Sequence, residues 1–153
     1  MIGLYLENIA NSRGWVFGHE QSGYDRTILM HDSRFGSGVA SAVGKTWQPW
    51  TNGGGNAPTK EWVHVTAVFR QNGDSYVYLN GVRSDNTVVA TNNDGKGELW
   101  IGRPHWGGHW VDCWVKEVKV FDYALSDADV TNYTTAFLVS FICLFWCMSS
   151  NPL

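Results

Sequence analysis

The stretch that most restricts the fold is "EWVHVTAVFR", residues 61–70, in which Val63, Val65, Ala67 and Phe69 alternate with Trp62, His64, Thr66 and Val68. A period of two belongs to a β-strand, because successive side chains on a pleated backbone point to opposite faces. Both sets are largely apolar, which fits a strand of a two-sheet sandwich with the first set toward the core and a solvent face softened by His64 and Thr66. "QNGD" then turns the chain and "SYVYLNG" returns it, and Asn80-Gly81 supplies a second tight turn from residues that tolerate positive φ. Glu61–Gly81 is therefore expected to be a β-hairpin.

Strand signals recur on both sides. "GWVFG", "RTILMH" and "GVASAVG" precede the hairpin, "GELWIG" and "DCWVKEVKVFD" follow it, and "QPWTNGGGNAPTK" is a loop by its Gly, Pro and Asn content. In the last strand, Val118 and Val120 are expected to face the Val63 set across the sandwich. Strict alternation would turn Lys116 inward and Val115 outward, so a β-bulge near Lys116 and Glu117 is expected. "ALSDADV" places Ser126 as a helix N-cap with Asp129 three residues on, a capping-box spacing. Nine Trp and 17 Gly with only 16% charged residues suit many short strands joined by tight turns. The expected architecture is all-β: a two-sheet antiparallel jelly-roll sandwich over residues 1–130, then a short helix leading into an apolar tail over residues 131–153.

At 153 residues the chain is one domain's worth, and a formal charge of -3 predicts no general attraction to nucleic acid. Cys113 stands in the body and Cys143 and Cys147 in the tail, giving neither a disulfide framework nor a CxxC metal knuckle. "MIGLYLENIANSRG" lacks the basic and then apolar run of a secretory signal. The tail "AFLVSFICLFWCM" is uncharged, and as a helix it spans roughly 20 Å, short of a hydrocarbon core of about 30 Å. Membrane contact and packing on a protein surface both remain open. Phe137, Leu138, Phe141, Ile142, Leu144, Phe145 and Trp146 are the expected docking residues, toward lipid or neighbouring subunits, and a chain ending at Thr135 is expected to stay folded. This reading puts the protein at a membrane, on its extracellular or lumenal face.

"WVHVTAVF", "YVYLNG", "LWIGRP" and "VKEVKVFDYALSDADV", in that order, resemble the succession in laminin G-like domains of the concanavalin A-like lectin and glucanase superfamily. The resemblance covers roughly Trp15–Val130 and implies a jelly roll of two antiparallel sheets. Cys113 stands where the family often has Gly, Lys116 where it often has Asp, and "IGLYLENI" serves as a shortened opening strand. Members of the superfamily include glycoside hydrolases and binding modules. Hydrolysis needs two carboxylates flanking the scissile bond, yet Glu7, Glu20, Glu61, Glu98 and Glu117 are scattered, and none has an acidic residue two positions away. An enzyme is therefore not expected.

The segment "RPHWGGHWVDCW" concentrates the candidate binding residues. Trp106 and Trp110 can offer rings to the apolar face of a pyranose, with His105, His109 and Asp112 for the hydroxyls. The plainer alternative is that Trp106, Trp110 and Trp114 cap the open end of the core, and a two-His, one-carboxylate metal set is a third. The resemblance also allows calcium as a cofactor, with Asp25, Asp32, Asp94 and Asp112 as oxygen donors, although "TNNDGKGE" fails the spacing of a calcium loop. "NYT" at Asn132 is a glycosylation acceptor if the chain is secreted. The expected function is a non-enzymatic recognition or adhesion module for a glycan or protein surface. The alternatives are a structural accessory subunit of a membrane assembly and a remnant of a polysaccharide hydrolase.

Overall fold

The computed structural model describes residues 1–7, 14–20, 27–31, 34–41, 44–46, 58–70, 73–84, 88–89, 98–102 and 113–149, some of them by backbone alone. Eleven strands and one helix lie among them: β1 Ile2–Leu6, β2 Gly14–Glu20, β3 Thr27–His31, β4 Arg34–Ser41, β5 Gly44–Thr46, β6 Trp62–Val68, β7 Asp74–Leu79, β8 Val82–Arg83, β9 Val88–Val89, β10 Glu98–Ile101, β11 Cys113–Val118 and α1 Asp127–Ser149. They form a six-stranded sheet in the order β11-β1-β6-β7-β8, with β9 also on β7, and a five-stranded sheet in the order β10-β2-β3-β4-β5. Every strand pair is antiparallel.

The hairpin forms as expected, with Val65 opposite Leu79 and Val68 opposite Tyr76. Asn80 and Gly81 both take positive φ, 49° and 82°, in the tight turn that leads to β8. "GVASAVG" carries the end of β4, at Ser41, and the start of β5, at Gly44.

Between the sheets, Ile2, Leu4, Val63, Val65 and Val77 pack against Val16, Ile28 and Met30. The opposite face of the first sheet is covered as well. Val68 and Tyr78 are buried there with Leu125 and Val130, beneath α1 and the segment before it. His64 and Thr66 are therefore buried rather than turned to solvent, because α1 lies across the strand face that the alternation left as the wetter one. Ala67 and Phe69 are only partly buried.

β11 corrects a second expectation. It lies in the same sheet as β6, with β1 between them, so Val118 and Val120 do not face the Val63 set across the sandwich. Alternation reports which face a side chain takes and says nothing of which sheet its strand joins. Val118 packs against the core from its own sheet, whereas Val120 lies beyond the strand and is 66% exposed. The bulge stands where expected. Ile2 pairs with Val118 and Gly3 with Lys116, leaving Glu117 as the extra residue at φ 58°. On the outermost strand of the sheet, such a bulge also interrupts the edge against pairing with another chain.

α1 begins behind Ser126 and runs on without a break through the uncharged segment to Ser149. Its start is the capping box: the Asp129 amide donates to Ser126 Oγ at 3.2 Å, and the Ser126 amide donates to Asp129 Oδ2 at 3.0 Å. The Ser126 hydroxyl, which donates to Asp129 Oδ2 at 2.6 Å, and then the Ser126 amide hold the Asp129 carboxyl below its usual range. Tyr78 donates to Asp127 at 2.8 Å, Arg83 pairs with Asp127 at 3.0 Å, and Arg70 donates to the Leu125 carbonyl at 3.1 Å, fixing the helix start over β7 and β8. Burial, together with that bond to Asp127, pushes the Tyr78 hydroxyl up to about 12.

Candidate functional site: an aromatic row on the outer sheet face

His105, Trp106, His109, Trp110 and Asp112 lie outside the described residues, as do Asp25, Asp32 and Asp94. Among the described residues, no group of three or more His, Cys, Asp or Glu side chains could hold a metal ion.

Trp114, expected with Trp106 and Trp110 over the end of the core, is instead 65% exposed on the outer face of the first sheet. The pairing explains the difference. Cys113 and Val115 lie opposite Leu6 and Leu4, which fill the core, so Trp114 shares the other face with its partner Tyr5. The bulge comes only later, at Glu117, and leaves this part of the alternation undisturbed.

Tyr5 also pairs with Trp62 on its other side, which gives a row of three aromatic residues, Trp114, Tyr5 and Trp62, across β11, β1 and β6. The Tyr5 and Trp62 ring centroids are 5.7 Å apart at 57°. The Trp114 indole N–H donates to Glu7 Oε1 at 3.1 Å, and Lys116 Nζ stands 6.0 Å from the Trp62 ring centroid. The row thus offers apolar ring surface flanked by one carboxylate, one ammonium and the Tyr5 hydroxyl. Indole and phenol rings with polar groups at their rim suit a ligand that alternates C–H surface with hydroxyls. The composition of each strand hints at such a face. Bringing positions 5, 62 and 114 together depends on pairings that no local pattern encodes.

At the opposite end of β6 a cavity of about 430 Å³ opens between the sheets. Phe17, Ile28, Ala67, Phe69 and Phe121 give it an apolar lining, and Lys119 and Asp122 are its charged groups.

The tail residues divide. Phe137, expected to meet lipid or a partner, is buried to 3% exposure on its own sandwich, stacked on His64 at 5.0 Å and 28°. It fits because residue 3 is glycine: a Cβ there would overlap the Phe137 ring and the Lys116 carbonyl. His64 Nδ1 lies 2.7 Å from Thr134 Oγ1. Burial is the main cause that lowers the His64 imidazole to about 4, with the Met1 amino group and Lys119 adding to it and Glu117 opposing it. Leu138 and Val139 are exposed. Phe141, Ile142, Leu144, Phe145 and Trp146 continue the helix backbone, and their side chains lie outside the described residues. Among the described residues, no helix is long and apolar enough to cross a membrane.

A two-sheet antiparallel sandwich with a jelly-roll sequence signature and an exposed aromatic face is the form of a lectin-like domain. The chain belongs to the concanavalin A-like lectin/glucanases superfamily, whose laminin G model matches residues 5–131. No curated protein matches the chain. Solved structures share its fold. The Trypanosoma rangeli sialidase superimposes with a TM-score of 0.62 at 12% identity, over 87% of this chain and 22% of that one. The receptor-binding domain of botulinum neurotoxin type G gives 0.62 at 10%, over 88% and 36%. Domain 4 of AbnA, a GH43 extracellular arabinanase from Geobacillus stearothermophilus solved with arabinotriose, gives 0.54 at 19%, over 86% and 63%. At these identities the likeness concerns the fold. The chain spans between about a fifth and two thirds of those proteins' lengths.

Proposed function

We propose that the chain is a non-enzymatic recognition module that takes a glycan on the row formed by Trp114, Tyr5 and Trp62. The observation that carries this reading is the exposed indole of Trp114, held in place by Glu7 on a rigid sheet face. An exposed tryptophan with its N–H anchored is pre-organised to stack on a sugar ring, with little side-chain freedom left to lose on binding. Glu7, Lys116 and the Tyr5 hydroxyl supply donors and acceptors for ring hydroxyls. The fold is shared with a neurotoxin's receptor-binding domain and with an arabinanase domain solved with arabinotriose, which supports recognition as the class of function. The absence of paired glutamates at strand spacing in the sequence supports a module without chemistry.

A second reading, an accessory subunit held at a membrane or in an assembly, is favoured by exposed Leu138 and Val139 and by the uncharged sequence that follows them in α1. Contact on that reading would be lateral, through one side of the helix.

The test is an array of neutral and acidic oligosaccharides, probed with the full chain and with Trp114→Ala, with calcium and with chelator. We expect carbohydrate binding that falls at least tenfold in the variant, whose fold is unchanged because the side chain is a surface one. Binding that is equal in both would remove the row from the account.

A further inference from the structure

We infer that α1 is a pH-operated latch on the outer face of the first sheet, pinned by His64 and free to lift in acid while the sandwich stays folded. The strand side of the pin is fixed. The His64 amide donates to Asn80 Oδ1 at 2.8 Å, and the His64 carbonyl accepts from the Asn80 amide at 2.8 Å. The helix meets the imidazole through Nδ1 to Thr134 Oγ1 and the Phe137 stack, while nearer its start Val130 packs with Val68 and Tyr78, and Tyr133 packs on Phe121. Gly3 lets the helix come this close, because a Cβ there would overlap the Phe137 ring. The start of α1 is held separately, by Tyr78, Arg83 and Arg70 on Asp127 and Leu125, a clasp that contains no imidazole. The middle of α1 can therefore part from the sheet about a retained N-terminal anchor.

The imidazole is 4% exposed. The helix turns only the uncharged Thr134 and Phe137 toward it, and the β7–β8 turn brings the neutral Asn80. The charged groups acting on it are Glu117, which favours the imidazolium, and Lys119 and the Met1 amino group, which oppose it. Docked, His64 stays neutral down to about 4; undocked and hydrated it returns toward 6.5. The undocked form therefore binds more protons over that interval, and the docked form loses ground as pH falls from 6.5 toward 4. The limit is a shift of about 300-fold in the ratio of undocked to docked helix. Lifting α1 uncovers Gly3 and His64 next to Trp62 and Lys116, so the aromatic row gains a contiguous trough in acid.

Amide hydrogen exchange of the full chain, corrected for intrinsic rates and followed by NMR from pH 7.5 to 4.5, tests the latch. We expect protection at Thr134–Leu138 to fall at least tenfold relative to β2 and β3 in the wild type, and to hold in His64→Gln, which keeps a polar side chain but does not titrate. Thr134→Val, which retains the imidazole, is expected to loosen α1 already at pH 7.5. The inference is overturned if helix and sandwich lose protection together, if protection at Thr134–Leu138 is unchanged across the range, or if His64→Gln loosens in acid as the wild type does. Should His64→Gln fail to fold, the wild type decides: loss of protection at Thr134–Leu138 that follows the titration midpoint of the His64 imidazole supports the latch, and loss at a different pH overturns it.

Discussion

Gly3 and Thr66 show how narrowly single side chains are fitted on the outer face of the first sheet. A methyl group at position 3 meets the Phe137 ring and the Lys116 carbonyl, so Gly3→Ala is expected to cost about 1–3 kcal/mol by overpacking. Phe137→Ala in the same chain should recover part of the overlap, since the carbonyl cannot move away as a ring can. The urea midpoints of the two single variants and the double variant measure this coupling. Thr66 has the opposite problem, a buried hydroxyl with no hydrogen-bond partner among the described residues. Thr66→Val keeps the shape and removes the unsatisfied group, so it is expected to leave stability unchanged or raise it by up to about 1 kcal/mol. A loss above that size in the same denaturation series would mean the hydroxyl is satisfied after all.

Among the elements, the alternating residues of β6, the Asn80-Gly81 turn, the Ser126 cap and the bulge at Glu117 were legible because each is set by neighbours within a few positions. The cap carries a direct test: Ser126→Ala removes the acceptor of the Asp129 amide and is expected to cost about 1 kcal/mol, read from the thermal midpoint. The place of β11 beside β1 was not legible, nor was the burial of His64 and Thr66, because both depend on partners far along the chain. The same blindness misplaced Trp114. Its strand face followed from the alternation once the partner was known, and Leu4 and Leu6 as partners had no signal near residue 114. Phe137 was read as part of a uniformly apolar run, yet Val130, Thr134 and Phe137 form a stripe at helical spacing that docks on the sandwich. A chain ending at Thr135 loses Phe137 and is therefore expected to be less stable by about 3 kcal/mol, read from its melting temperature.

For the whole molecule, the two faces of the first sheet have separate tasks. The inner face closes the core against the second sheet, and the outer face is shared between α1 and the aromatic row. That division accounts for a sandwich in which, among the described residues, the largest exposed aromatic, Trp114, lies beside and not over the core. The central claim is that a glycan stacks on this row. It is tested most directly by titrating the full chain with an oligosaccharide that binds on the array while the indole N–H resonances of its nine tryptophans are recorded. The account predicts saturable shifts for Trp114 and Trp62, with the ligand recovered intact. Saturable shifts at other tryptophans with Trp114 and Trp62 unmoved, or release of reducing sugar by purified protein, would contradict it.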